Sequence, residues 1–204
     1  GDVYKRQVLC NIAGDDVLRS IAEMKEHIRR AHIFVLAGGF SAGDEPDGSA
    51  KFIVNVLNNK DIRDEIHALT DRGGLTLGIC NGFQALIKLG LVPYGEIRDP
   101  DKNSPTLSFN VIGRHQSKIV RTRVVSNRSP WLSGVQVGDV VNVPISHGEG
   151  RFLCSEELLG KLAENGQIAT QYVDLDGAPT MDVQFNPNGS IWAVEGITSP
   201  DAVS

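Results

Sequence analysis

Two glycines bracket Cys80 at the end of an apolar, β-rich run, and this pattern constrains the fold more than any other part of the chain. Leu75 to Ile79 reads as a buried strand and Gly82 to Leu89 as a helix. The junction Gly78-Ile79-Cys80-Asn81-Gly82 must therefore turn a strand directly into a helix. So tight a turn has room only for small residues two places before and two places after its middle residue. It projects the middle side chain from the carboxyl edge of the sheet. The helix N-terminus then points its dipole at the sulfur and favours the thiolate. The amide of Asn81 stands where it can donate to an oxyanion. A buried structural cysteine needs none of these features, so Cys80 is read as a nucleophile.

The rest of the first half has the same strand–helix alternation. Val8 to Ile12 reads as a short strand. A helix runs from Asp15 or Asp16 to about Arg30, with Val17, Leu18, Ile21, Met24 and Ile28 on its apolar face. His32 to Ala37 is expected to be a buried parallel strand ending in the turn Gly38-Gly39. Pro46 to about Asn58 and Asp61 to Arg72 read as helices, the second stopped by Gly73-Gly74. Alternation of this kind predicts a mostly parallel sheet with helices on both faces. The second half changes character. Thr106–Val111, Lys118–Val125, Val140–Ser146, Ala169–Val173 and Ile191–Thr198 read as strands, interrupted by one helix from about Ser155 to Asn165. Turn chemistry at Asp176-Gly177 and Asn186-Pro187-Asn188-Gly189 predicts antiparallel pairing there. No composition shift or linker divides the chain.

Two further glycine-rich loops lie at strand ends. Gly38-Gly39-Phe40-Ser41-Ala42-Gly43-Asp44 follows a strand, where ligands gather in open α/β sheets. Its spacing fits neither phosphate-loop nor dinucleotide patterns, so an oxyanion role opposite Cys80 and a plain turn are the two readings. In Ser146-His147-Gly148-Glu149-Gly150-Arg151 a strand delivers Ser and His to a loop. His147 is open to three readings: a base for Cys80, a satisfied loop histidine, or a wall of the substrate pocket. His27 and His67 sit in helix patterns and are expected to face solvent. His115 lies in a polar loop that could touch a ligand or a partner. Arg121 and Arg123 alternate with valine on a strand with one wet face. Each of these is read as structural.

Composition narrows the function classes. Net charge is −5, which offers nucleic acid or an anionic membrane no basic patch. The three cysteines are far apart and form neither a metal-ligand pair nor a disulfide framework, as expected in a reducing cytoplasm. Apolar stretches are too short to span a bilayer, and no metal-ligand set is legible.

The runs GGFSAGDEPDGSAKFI, LGICNGFQALIKLGLVPYGEIRD, SPTLSFNVIGRH, PISHGEGRF and FNPNGSIWAVEGITSPD resemble the glutaminase domain of the phosphoribosylformylglycinamidine synthase family. The resemblance covers about Val8 to Asp201. It leaves residues 1–7 and 202–204 unplaced. It implies a flavodoxin-like class I glutamine amidotransferase fold. It also implies hydrolysis of glutamine through a thioester on Cys80, with the ammonia passed to a synthetase domain or subunit that aminates formylglycinamide ribonucleotide. ATP and magnesium are implied for that synthetase part and no cofactor for this domain. Gly39, Phe40 and Asn81 are implied around the oxyanion, and Gln84, Ser146, His147 and Gly148 around glutamine. The family's catalytic His and Glu follow its SPDG run, whereas this sequence reads Ser199-Pro200-Asp201-Ala202 and has no His after His147. The family also has a strand and helix ahead of the Val8 strand. The expectation is therefore an incomplete domain and, for the isolated chain, poor glutaminase turnover. A glutamine-binding or interaction module without catalysis is the alternative.

Overall fold

The structure is a computed structural model that describes residues 15–39 and 50–204. The Val8–Ile12 strand, Phe40 and the start of the Pro46 helix lie outside the described residues.

The elements follow in chain order. First come α1 (Asp15–Arg30), β1 (Ile33–Leu36), α2 (Lys51–Leu57), α3 (Lys60–Asp71), β2 (Leu75–Gly78), α4 (Asn81–Leu89) and α5 (Leu91–Tyr94). Then come β3 (Thr106–Ser108), β4 (Gln116–Val124), β5 (Val140–His147), β6 (Arg151–Leu153), α6 (Glu156–Glu164), β7 (Ile168–Tyr172) and β8 (Val194–Ile197). The mixed α/β class follows the sequence. β1 and β2 pair in parallel, Ile33 opposite Leu75 and Leu36 opposite Gly78. The later strands pair antiparallel, β3 with β6 and the sheet β5-β4-β7-β8.

Local chemistry sets the helix boundaries. The Asn59 side chain accepts from the Asp61 amide at the start of α3, and Ser155 accepts from the Leu158 amide at the start of α6. Gly73 at φ +81° lets the chain turn out of α3 into β2. At the other end of α1, a guanidinium nitrogen of Arg72 donates to the carbonyls of Ile28, Arg29 and Ala31 at 2.9, 3.0 and 2.9 Å. One core joins the two halves: Ile28, Leu36, Ile66 and Leu86 share it with Phe152, Leu159 and Val194. This continuity explains why no boundary is visible in the sequence.

Several expectations change. Leu18 is 67 % exposed. At about 100° per residue it lies well off the stripe of Val17, Ile21, Met24 and Ile28. β1 is parallel but not fully buried. Phe34 and Leu36 face the core, whereas Ile33 and Val35, on the opposite face, are 52 % and 48 % exposed among the described residues. The strand expected over Thr106–Val111 stops at Ser108, because Asn110 leaves the ladder and bonds elsewhere. β6 is a strand that the sequence did not suggest. Ile191–Ala193 is a 3₁₀ turn, and β8 begins only at Val194. His67 does not face solvent: its Nε2 accepts from the Ile97 amide at 2.9 Å. Arg121 and Arg123 lie on the wet face of β4 as expected, and pin a loop there by donating to the carbonyls of Asp174, Leu175 and Gly177. No helix among the described residues is long and apolar enough to cross a membrane.

Candidate active site

Cys80 sits between β2 and α4 as the N-cap residue of the helix, with φ 54° and ψ −110°. This is a strained conformation for a residue with a side chain, of the kind found where function fixes the backbone. The flanking glycines are required by contact. A Cβ on Gly78 would meet Leu86 Cδ1 at 2.6 Å, and one on Gly82 would meet Leu36 Cβ at 2.8 Å. Cys80 itself is exposed. The turn thus presents the sulfur, with Ile79 before it 52 % exposed, while Asn81 and Gln84 on the helix side are each only 4 % exposed.

The Gly38-Gly39 turn at the end of β1 comes alongside. A Cβ on Gly38 would stand 3.0 Å from Cys80 Cβ and 3.9 Å from Cys80 Sγ. Gly39 has φ +117°, a region open to glycine, and a Cβ there would meet nothing within 4 Å. The parallel register of β1 and β2 places both turns at one sheet edge. Phe40 lies outside the described residues.

The loop after β5 closes the other side. Cys80 Sγ lies 3.6 Å from the Ser146 carbonyl oxygen. Gln84, one turn into α4, donates through Nε2 to the Glu149 carbonyl, and its Oε1 is buried with no hydrogen-bond partner among the described residues. The site therefore brings together Gly39, Cys80, Asn81, Gln84, Ser146, His147 and Gly148. His147 makes no hydrogen bond to Cys80 among the described contacts; its Nδ1 faces Asn110 Oδ1 at 3.1 Å. Burial, and then the neighbouring charge of His115, hold the His147 pKa below the ordinary histidine value.

Three residues outside the predicted site support this loop. His115 is not merely part of a polar loop: its Nε2 is 3.0 Å from Ser146 Oγ. Asn110 bonds the segment Ser146–Gly150 repeatedly. Asn188 donates to the Gly150 carbonyl at 2.7 Å and to the Tyr172 hydroxyl at 2.9 Å. All three fall inside the runs SPTLSFNVIGRH and FNPNGSIWAVEGITSPD, and their polarity beside strand ends was the available signal. Cys154 is half-buried, and desolvation pushes its thiol up to about 11, which suits an inert position.

Behind Cys80 a cavity of about 320 Å³ lies between β2–α4 and β7–β8, lined by Thr76, Phe83, Trp131, Glu195 and Thr198 among others. Desolvation raises the pKa of the Glu195 carboxyl, which accepts a hydrogen bond from Thr170 Oγ1. Among the described residues no group of three His, Cys, Asp or Glu side chains could hold a metal ion.

Residues 10–202 match the CobB/CobQ-like glutamine amidotransferase domain. Phosphoribosylformylglycinamidine synthase subunit PurQ of Gloeobacter violaceus is 33 % identical over 183 residues, which cover 90 % of this chain and 71 % of the relative. The subunit of the same name from Synechocystis sp. is 36 % identical over 185 residues, 91 % of this chain and 75 % of the relative. That of Methanococcus maripaludis is 33 % identical over 174 residues, 85 % of this chain and 62 % of the relative. A solved structure described as PurLQS from Thermotoga maritima superposes with a TM-score of 0.57 at 26 % identity, covering 80 % of this chain and 60 % of that one. The chain thus spans between 62 % and 75 % of these curated relatives' length.

Proposed function

Because this chain belongs to the CobB/CobQ-like glutamine amidotransferase family, among the phosphoribosylformylglycinamidine synthase subunits named PurQ, we propose that it releases ammonia from glutamine through a thioester on Cys80. The observation that carries this reading is the position of Cys80. An exposed sulfur on a strained strand-to-helix turn stands between a glycine turn and the Ser146–Gly150 loop.

The chemistry follows from that arrangement. The Cys80 thiolate attacks the side-chain carbonyl carbon of glutamine and a C–S bond forms. The carbonyl oxygen becomes an oxyanion, received by the backbone N–H groups of Gly39 and Asn81. The C–N bond then breaks. The nitrogen takes the proton that the thiol gave up and leaves as ammonia. Water adds to the thioester, the C–S bond breaks, and glutamate and free Cys80 result. Gln84, Ser146, His147 and Gly148 hold the substrate, with the buried Gln84 Oε1 available to a donor. The family resemblance assigns Phe40, next in the chain after Gly39, to the same site. Residues 8–201 make up this amidotransferase domain.

The ammonia goes to a synthetase partner, as the PurLQS assembly of the solved relative suggests. There ATP, with magnesium, drives amination of formylglycinamide ribonucleotide to the amidine in purine biosynthesis, in the cytoplasm. The test is labelling of Cys80 with 6-diazo-5-oxo-L-norleucine, an electrophilic glutamine analogue, with and without the synthetase partner. One equivalent on Cys80, blocked by L-glutamine but not by D-glutamine, is expected. No labelling under either condition, or labelling indifferent to glutamine, would leave a fold without the activity.

A further inference from the structure

We propose that Asn110 is a positioning residue of the glutamine site, fixing His147 as the tautomer protonated on Nδ1 so that Nε2 is left as a hydrogen-bond acceptor. The inference rests on the glutaminase reading for its substrate and on the hydrogen-bond network for its geometry.

Asn110 follows β3 and is 2 % exposed. All its polar atoms are engaged. Its backbone N–H donates to the Gly148 carbonyl at 2.9 Å, and its carbonyl accepts from the Gly113 amide at 2.8 Å. Its Nδ2 donates to the carbonyls of Arg114 at 3.0 Å and His147 at 2.9 Å. Its Oδ1 accepts from the Gly150 amide at 3.3 Å. The two ends of an asparagine amide have the same shape, so only their partners can distinguish them. Here they do. Two carbonyls can be satisfied only by the NH₂ group, and a backbone N–H only by the oxygen.

The atom facing His147 Nδ1 at 3.1 Å is therefore an acceptor, and Nδ1 must carry the proton. A neutral ring protonated on Nδ1 has a bare Nε2. The lowered proton affinity of His147, caused first by burial, keeps the ring neutral at physiological pH. The ring also lies close against Gly150, where there is no room for a Cβ. The loop beside Cys80 thus offers the bare Nε2 as a side-chain acceptor. That suits the donor-only α-ammonium group of an amino-acid substrate. The same amide ties residues 147, 148 and 150 together, and Ser146 of this segment touches Cys80 Sγ. Loss of Asn110 would move the substrate relative to the sulfur.

The test uses the whole chain with ¹⁵N-labelled histidine, His147→Gln serving to assign the resonance. Long-range ¹H–¹⁵N spectra read the tautomer. In parallel, the rate of Cys80 labelling by 6-diazo-5-oxo-L-norleucine is divided by the rate with iodoacetamide. Wild type is expected to show the Nδ1–H pattern. Asn110→Asp keeps an oxygen for Nδ1 and is expected to retain the pattern, while Asn110→Ala loses it. The labelling ratio is expected to fall about 10- to 100-fold in Asn110→Ala and less in Asn110→Asp, with the iodoacetamide rate unchanged. An Nε2–H pattern in folded wild type overturns the inference even if the alanine variant does not fold. So does an alanine variant that keeps both the tautomer and the ratio. A wild type that shows Nδ1–H but takes no diazo-ketone label would support the tautomer and overturn the substrate role together with the glutaminase reading.

Discussion

Gly82, in the first turn of α4, lies directly on Leu36 at the end of β1: a Cβ at Gly82 would come within 2.8 Å of Leu36 Cβ and closer still to the Leu36 carbonyl. The helix that carries the elbow can approach the parallel pair this closely only because position 82 has no side chain. Gly82→Ala forces α4 away from β1 and is expected to cost about 1–3 kcal/mol, as overpacked interiors do. The check is the urea midpoint, and an unchanged midpoint would show that the contact is not tight. Cys80 labelling by the glutamine analogue is expected to slow in the same variant, since the elbow moves with the helix.

The strain at Cys80 predicts opposite effects on stability and activity. A φ of 54° with ψ −110° costs a residue with a side chain on the order of 1–3 kcal/mol, and glycine far less. Because the side chain is exposed, little packing is lost on removing it. Cys80→Gly is expected to keep or raise the unfolding free energy, by up to about 1 kcal/mol after the greater entropy of unfolded glycine is counted, while abolishing covalent labelling. A large loss of stability in this variant would mean that the turn is relaxed around cysteine.

Glu195 gives a pH dependence. Desolvation raises its folded-state pKa above the unfolded value of about 4.3. Below about pH 4.3 the carboxyl is protonated in both states and its contribution is fully present. As pH rises, the unfolded chain gives up this proton first, and stability falls until the folded pKa is passed. Glu195→Gln keeps an oxygen for the hydrogen bond from Thr170 Oγ1 and removes the titration. It is expected to be more stable than wild type at pH 7, and the gap is expected to shrink as pH falls toward about 4.3. Thermal midpoints at several pH values check this. A gap independent of pH would exclude the ionisation as its cause.

His147 acts in the reverse sense. Its folded pKa lies below the ordinary histidine value of about 6.5, so its contribution is complete above that pH. It is lost as pH falls, because the unfolded chain takes up the proton first. His147→Gln is expected to flatten the decline of stability below about pH 6.5, read from denaturant midpoints; an unaltered slope would count against burial of the ring.

Arg72 closes the C-terminal end of α1 across the α1–α3 packing, with one guanidinium nitrogen shared by three carbonyls. Arg72→Met keeps much of the aliphatic stem and removes the donors. It is expected to destabilise by about 1–3 kcal/mol, the cost of leaving a helix end without its charged donor. Hydrogen exchange in the last turn of α1 is expected to accelerate more than elsewhere. Uniform acceleration would indicate a global effect instead.

Much of the site was legible because backbone geometry restricts residue type at a few positions. Gly78, Cys80 and Gly82 announced the elbow, since a strand that turns directly into a helix tolerates side chains at neither flank. Gly39 and the Ser146–Gly148 loop were identified by their place after apolar runs, and the β1–β2 register brings the Gly38-Gly39 turn to Cys80. Asn110 and Asn188 were not legible as supports of that loop, and His115 only as a polar-loop residue that could touch a ligand or a partner. Polar residues in turns are common, and nothing local distinguishes a side chain that bonds its own turn from one that reaches across to a distant loop.

The sequence by itself determined the α/β class, most of the helices, the antiparallel character of the second half and the tight strand-to-helix turn at Cys80, because periodicity, capping residues and tight turns act over a few neighbouring residues. Only the tertiary structure decided which faces are covered and which polar groups meet. His67 accepts a backbone hydrogen bond although it lies on a helix surface, and the His147 ring turns to Asn110 rather than to Cys80. Each outcome depends on a partner tens of residues away in the chain, and the requirement that a buried polar group find a partner says that one exists without saying where.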